Sequence, residues 1–158
     1  MIILGVDPGL QVCGYAAVEA NSSGEKLIEA GVIRTDESAG LAKRLNQIAG
    51  DTRLLLEKFG PDVVAVEELY SHYKHPKTAI LMGHARGVIL QKAEKAQAEV
   101  KSFAPTRIKK SLTGNGRASK EQMQRAIQST LGLIELPEPA DVADAIAVAL
   151  CCANEMKI

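Results

Sequence analysis

The sequence predicts a single α/β domain, residues 1–158, with a mixed five-stranded sheet flanked by helices. Three short β-branched runs follow one another near the N-terminus, which is typical of an antiparallel meander. Two more apolar runs come later, and each follows a segment whose apolar residues recur at helical spacing. Because a strand that follows a helix usually pairs in parallel with its neighbour, the sheet is expected to contain both directions. A length of 158 residues is that of one ordinary domain.

The first three strands are predicted over residues 2–7, 14–19 and 27–34. Pro8-Gly9 ends the first strand, and a turn formed by residues 21–24 separates the second strand from the third. A helix over residues 39–59 stops at Gly60-Pro61 and leads into a fourth strand, residues 63–68.

The second half of the chain is predicted to be mainly helical. A long helix begins at Pro76 and runs to residue 98, before a fifth strand at residues 100–103. Gly83 and Gly87 lie inside that helix, where each glycine costs roughly 1 kcal/mol relative to alanine. This predicts a close approach of another helix, for which a second subunit is one candidate. Three further helices are predicted over residues 105–112, 119–131 and 140–154.

Four carboxylates lie directly beside apolar runs, where an ionised group is costly unless it is neutralised. Asp7 ends the first predicted strand, and Glu67 lies at the end of the fourth. Asp141 and Asp144 lie at the start of the last helix. None of these runs contains a lysine or arginine, which favours a hard divalent cation such as Mg²⁺ as the neutralising partner. Taken singly, Asp7 could be a turn residue, and the two helical aspartates could be caps.

The chemistry expected of such a cluster is metal-assisted hydrolysis of a phosphodiester. Two cations about 3.5–4 Å apart can activate a water and stabilise the leaving oxygen. We therefore expect two Mg²⁺ ions per site, with Mn²⁺ as a substitute, and the ligands Asp7, Glu67, Asp141 and Asp144. Glu68 competes with Glu67, because adjacent strand residues face opposite sides of a sheet and only one of them can enter the site.

Basic residues are concentrated in the middle of a chain whose net charge is zero. Residues 70–120 contain eleven lysines and arginines and two glutamates, so the flanking segments carry a compensating acidic excess. This asymmetry favours a surface for a polyanion beside an acidic metal site, although lysine-rich helices that are simply solvated give the same pattern. The chain has two Phe, three Tyr and no Trp, which argues against the rows of stacking aromatics found in single-strand binders.

The cysteines and the apolar segments indicate a cellular compartment. Cys13, Cys151 and Cys152 show neither a disulfide framework nor a zinc-binding spacing, which suits a reducing cytosol. The six residues before Asp7 are too few for a signal peptide, and no stretch is long enough to span a membrane. A cytoplasmic protein is therefore expected.

The segment Gly5-Val6-Asp7-Pro8-Gly9, followed by Gly14-Tyr15, resembles the opening of the RuvC family of Holliday-junction resolvases. The resemblance continues in the same order through Ile33-Arg34-Thr35, Ala65-Val66-Glu67, Gly83-His84-Ala85-Arg86-Gly87-Val88 and Ala140-Asp141-Val142-Ala143-Asp144-Ala145. It implies a ribonuclease-H-like fold and a Mg²⁺-dependent endonuclease that acts as a homodimer. It also implies a bacterial cytoplasmic setting, with four-way junction DNA as substrate and a branch-migration motor of the RuvA and RuvB type as partner.

The resemblance also assigns roles to individual carboxylates. It places Glu67, rather than Glu68, in the site and aligns it with the family's catalytic acids, together with Asp7, Asp141 and Asp144. Some similar members carry His where Asp141 stands. The implied reaction is the symmetric cutting of two opposed strands of a four-way junction in recombination and repair, which leaves 5′-phosphate and 3′-hydroxyl ends.

The basic middle region supplies candidate DNA contacts. By similarity to the family, Tyr70 is expected to wedge against bases at the opened centre of the junction, although a half-buried loop tyrosine is an equal alternative. Lys120 lies at a helix start, where the dipole favours a phosphate, and is expected to steady the scissile phosphate in catalysis. Lys109 is expected on the backbone nearby. The other DNA-binding candidates are Lys74, Arg107, Lys110 and Arg117.

Some of these residues also have plainer interpretations. Lys110 and Arg117 fit ordinary solvated surface as well as a DNA contact. His72 and His75 have a spacing that metal ligands can show, but a polar loop favours DNA contact or solvation.

Three alternative functions remain open. Another ribonuclease-H-like nuclease, such as one that matures ribosomal RNA, would share the carboxylates but would not need the basic middle region. A catalytically silent junction-binding protein would not depend on Asp7. An actin-like phosphotransferase is disfavoured, because the chain is short for the second lobe that such enzymes need.

Overall fold

The computed structural model of this protein describes residues 1–70 and 74–156. Within those residues the chain forms five strands and five helices. In chain order they are β1 (Ile2–Asp7), β2 (Val12–Asn21), β3 (Gly24–Arg34), α1 (Leu41–Phe59), β4 (Val63–Glu67), α2 (Pro76–Lys95), β5 (Glu99–Phe103), α3 (Pro105–Thr113), α4 (Lys120–Leu131) and α5 (Ala140–Met156). His72, a candidate from the sequence, lies outside the described residues.

The strands form one mixed five-stranded sheet, as predicted, and their order in the sheet is β3-β2-β1-β4-β5. β1 pairs antiparallel with β2 and parallel with β4, and β4 pairs parallel with β5. Since Val6 lies opposite Val66 in the β1–β4 pair, the last residues of these two strands, Asp7 and Glu67, end side by side at the same edge of the sheet.

The predicted elements are found, with shifts at their ends. β2 and β3 are longer than predicted, because the hairpin stays paired down to Asn21 and Gly24. Gly24 has a φ of 121°, which glycine adopts without strain. The predicted end of α2 at residue 98 is wrong: the helix ends at Lys95, and Gln97 has a left-handed φ of 59°.

Helices cover both faces of the sheet, which explains why β1 and β4 read as continuous apolar runs. α5 packs on one face, where Ile3 and Ala65 join its buried residues in one apolar cluster. α1 and α2 cover the other face, where Leu4 and Val66 lie against buried residues of both helices. Odd-numbered residues of β1 and β4 therefore face α5, and even-numbered ones face α1 and α2.

The three cysteines are free and buried. In the described part of the chain, no helix is both long enough and apolar enough to cross a membrane.

Candidate active site

The site begins with the two strand-end carboxylates. Asp7 follows Ile3 and Gly5 on the face of β1 that α5 covers, and Glu67 follows Val63 and Ala65 on the same face of β4. This geometry places Glu67 on the same face of the sheet as Asp7, which favours Glu67 over Glu68 as the site residue. Glu68 lies beyond the strand, and its carboxylate accepts a hydrogen bond from Tyr70 Oη at 3.3 Å.

Two glycines allow α5 to bring its aspartates to this edge. A Cβ on Gly14 would lie 1.9 Å from the backbone oxygen of Asp141, and a Cβ on Gly5 would lie 2.2 Å from that of Ala145. Both distances are far below van der Waals contact, so no other residue fits without moving the helix. Gly14 is also the β2 partner of Asp7. The first turn of α5 therefore packs directly beside the residue that pairs with Asp7.

The electrostatics show that the four carboxylates interact. Burial raises the pKa of Asp7 to about 8, and the nearby charges of Asp144, Glu67 and Asp141 add to this rise. Burial, with the charge of Asp144, raises the pKa of Glu67 to about 7, while Lys109 acts in the opposite direction. A cluster of carboxylates held this close stores mutual repulsion that a cation would relieve.

Asp144 lies at the open side of the cluster. Desolvation raises the pKa of its carboxyl group, and the neighbouring Lys120 and Lys109 lower it. The side chain itself is exposed, so solvent screens these interactions. Asp141 is half-buried in the turn before it.

Two lysines face the acids across a cavity of about 230 Å³ between α3, α4 and α5. Glu67, Asp144, Lys109 and Lys120 line its polar part, and buried side chains such as Ile127 line the rest. Ser119 caps α4 through a complete capping box with Gln122, which fixes the helix start that carries Lys120. Both signs of charge thus meet at one opening, as a phosphodiester beside a metal site requires.

The donor set fits a hard divalent cation, since all four groups offer carboxylate oxygens and repel one another without it. Among residues 1–70 and 74–156, however, no three His, Cys, Asp or Glu side chains are grouped tightly enough to hold a metal ion in this conformation. Binding would therefore draw the carboxylates together by side-chain movement on a fixed main chain.

The other DNA candidates are spread over the surface beside the site. Tyr70 is 58% exposed and lines a groove of about 930 Å³ with His75, Met82 and Pro105. Lys74 lies in the exposed turn before α2.

The candidates on and after α3 differ in their surroundings. Lys110 and Arg117 are exposed. Arg107 is also exposed, but it pairs with Glu155 and its guanidinium lies 5.3 Å from the centre of the Phe103 ring. These contacts hold Arg107 in the structure and leave it less free for DNA than the other candidates.

Arg86 lies near the site, although no pattern of charge or spacing in the sequence marks it as a site residue. Arg86 donates to the backbone oxygen of Glu67 at 3.3 Å and to Ser102 Oγ at 2.7 Å. Its only signal in the sequence was its place within a motif shared with the RuvC family.

The comparisons with known proteins agree with this arrangement. A family model described as crossover junction endodeoxyribonuclease RuvC matches residues 3–152. The chain belongs to the RuvC family. A crossover junction endodeoxyribonuclease RuvC of Rhodopirellula baltica is 49% identical over 149 residues, covering 94% of this chain and 84% of that protein. The same-named protein of Heliobacterium modesticaldum is 40% identical over 156 residues, covering 99% of this chain and 96% of its own length.

Solved structures of the family share the fold. The Thermus thermophilus RuvC structure superposes with a TM-score of 0.90 at 32% identity, covering 98% of this chain and 94% of that one. T. thermophilus RuvC in complex with a Holliday junction substrate gives a TM-score of 0.88 at 29% identity, with the same coverage. The ribonuclease-H-like α/β fold and the membership among Holliday-junction resolvases, both expected from the sequence, are thereby confirmed.

Proposed function

We propose that this chain forms a homodimeric, Mg²⁺-dependent endonuclease that resolves four-way DNA junctions by paired, symmetric nicks. The observation that carries the proposal is that Glu67 and Asp144, which both interact electrostatically with Asp7, line one opening together with Lys109 and Lys120. Family membership supports the reaction class, and the T. thermophilus relative has been solved with a Holliday junction substrate.

The four carboxylates would hold the metal, as Mg²⁺ or with Mn²⁺ as a substitute and with two ions per site. Bound there, such cations supply a water of lowered pKa and offset the negative charge of the reacting phosphodiester. Asp7 would be the central member of this ligand set, because it interacts electrostatically with all three other acids. Since the pKa of Asp7 is about 8, this carboxyl group gives up its proton when a cation binds.

The lysines act on the substrate. Lys120 and Lys109 would attract the phosphate to the opening that they share with Glu67 and Asp144, and would compensate its charge there. The close contact of α5 with the sheet excludes water from behind the carboxylates, so solvent reaches them from the DNA side. The expected products carry 5′-phosphate and 3′-hydroxyl ends.

The surrounding surface would bind the junction. Tyr70, Lys74, Lys110 and Arg117 are exposed around the opening or on the adjoining helices, and we propose that they contact DNA. Arg107, held by Glu155 and Phe103, is expected to contribute less.

The proposed dimer uses the outer face of α2. Ile80 is 62% exposed, and Gly83 and Gly87 lie on the same stripe of the helix. Within the described residues, nothing lies within 4 Å of a Cβ placed on either glycine. The close contact that the glycines predict is therefore not made by the described part of the chain, which supports a second copy as the partner. Two subunits related by a two-fold axis would each cut one strand of a nearly two-fold junction.

In the cell we propose that the enzyme works in the bacterial cytoplasm with a branch-migration motor of the RuvA and RuvB type. The whole chain is proposed to act as one nuclease domain. These parts rest on family membership.

The experiment compares a mobile four-way junction with linear duplex and structured RNA of matched sequence, each with Mg²⁺ and with EDTA. Paired nicks on the junction alone, and only with Mg²⁺, are expected. Asp7→Asn should still bind the junction but should not cut it. Preferential cutting of RNA would favour a ribosomal-RNA-type nuclease, and unchanged cutting by Asp7→Asn would refute the metal assignment.

A further inference from the structure

Arg86 connects α2 to the strand end that carries Glu67. Its Nε donates to the Glu67 backbone oxygen at 3.3 Å, and another guanidinium nitrogen donates to Ser102 Oγ at 2.7 Å. Ser102 lies opposite Val66 in the β4–β5 pair. One guanidinium therefore ties the last residue of β4 to the neighbouring strand.

The position of Arg86 is itself firmly set. Ala85 and Ile89, which flank it on α2, are fully buried among residues of the sheet. Arg86 is half-buried, and because it belongs to α2 it approaches the sheet from the face opposite α5. Its planar guanidinium holds donors on separate nitrogens in a rigid fork, a geometry that the single Nζ of a lysine does not reproduce.

The hydrogen bonds of Arg86 lie at the end of β4, where the hydrogen bonding of the sheet stops. Glu68 donates a backbone hydrogen bond to Phe103 at 2.9 Å, and the chain then leaves β4 towards α2. The Glu67 carboxylate is meanwhile largely removed from solvent and feels the like charge of Asp144 on α5. Repulsion between carboxylates pushes such a strand end outward, and a clamp on its backbone opposes that movement.

We propose that Arg86 is a positioning residue that fixes the end of β4, and through it the Glu67 carboxylate, for metal binding. Arg86 touches neither the metal nor the scissile phosphate in this assignment. It acts from the back of the sheet, as the outer partners of metal ligands do, and loss of such partners typically costs about 10–100-fold in metal affinity or activity. The inference rests on the proposed function, because it concerns the same metal site.

The test compares Arg86→Gln, Arg86→Lys and Ser102→Ala with Arg53→Gln. Arg53 is a suitable control, since it forms an exposed ion pair with Glu57 on α1. The measurements are the Mn²⁺ affinity by calorimetry, the Mg²⁺ concentration at half-maximal cleavage, kcat on a saturating junction, and the junction Kd in EDTA.

Arg86→Gln is expected to weaken Mn²⁺ binding and to raise the half-maximal Mg²⁺ concentration by about tenfold or more, with a similar fall in kcat. The junction Kd should stay within about twofold, because no DNA contact is removed. Arg86→Lys should recover part of the loss, and Ser102→Ala should shift the same quantities less. Arg53→Gln should leave all of them unchanged.

Unchanged metal affinity in Arg86→Gln would overturn the inference, and so would a loss confined to the junction Kd, which would make Arg86 a DNA contact. If Arg86→Gln does not fold, the metal affinity of Ser102→Ala tests the inference, since that variant removes only one oxygen atom. Absence of cleavage by the unsubstituted protein would refute the proposed function instead, and the calorimetry would still judge Arg86.

Discussion

Asp7→Asn should stabilise the metal-free protein at high pH. The pKa of Asp7 rises from 3.8 to about 8 on folding, chiefly through burial. A carboxyl group with a raised pKa binds more protons in the folded state, so the free energy of unfolding falls as the pH rises from about 4 to about 8. The asparagine side chain does not ionise, so the variant does not lose unfolding free energy through this group as the pH rises.

The structure sets the size of the effect. A rise of about four pKa units corresponds to an upper limit of about 6 kcal/mol, at 1.36 kcal/mol per unit. Asp7 is half-buried and reached by solvent, and its neighbours readjust, so we expect about 2 kcal/mol at pH 9. The difference between variant and parent should disappear near pH 4, where both side chains are neutral.

The assay is urea unfolding in EDTA from pH 4 to pH 9 at one fixed protein concentration, followed by circular dichroism because the chain has no tryptophan. Asp51→Asn is the matched control, since Asp51 lies on α1 across the sheet from the site. Adding Mg²⁺ should stabilise only the parent protein, so that the parent becomes more stable than Asp7→Asn. An Asp7→Asn variant no more stable than its parent at pH 9 in EDTA would refute this account of the site's electrostatics.

Three further outcomes are expected. Lys120→Gln should slow cutting of a bound junction by about 100-fold, because charge compensation at the phosphate is lost. Lys110→Gln should mainly weaken junction binding. Equal single-turnover cleavage rates for the two variants would contradict this. Gly87→Leu should yield monomers in sedimentation velocity, and an intact dimer would exclude the α2 face. Gly14→Ala should lower the free energy of unfolding by several kcal/mol, roughly as overpacking of a core does, because its Cβ would lie 1.9 Å from the backbone oxygen of Asp141. A melting temperature equal to the parent's would show that α5 can move.

Much of the fold follows from local signals in the sequence. The strand that ends at Asp7 and the helix that ends before Gly60-Pro61 are marked by β-branched runs and by glycine and proline, which act over a few residues. The four carboxylates are marked by their places beside apolar runs, and the family motifs imply the ribonuclease-H-like fold. Local signals do not predict the end of α2 correctly. The left-handed residue after the helix is Gln97, whereas glycine is the residue that usually marks such a position in a sequence.

The choice between Glu67 and Glu68 also lay beyond sequence periodicity. Both faces of β4 are buried, so Ala65 and Val66 look alike in the sequence although they face different helices. Only the placement of α5 shows which face holds the site. Arg86 was hidden for a related reason, since one of its acceptors is a backbone oxygen 19 residues away.

The close packing of the α5 backbone on Gly5 and Gly14 has a consequence for redesign of the site. The position of the α5 aspartates relative to Asp7 is set where the backbone oxygens of Asp141 and Ala145 lie against Gly14 and Gly5. Exchanging exposed side chains of α5 leaves this backbone contact unchanged. A wider site, for a larger cation or a bulkier leaving group, would require a change of chain length at the β1–β2 turn or ahead of α5.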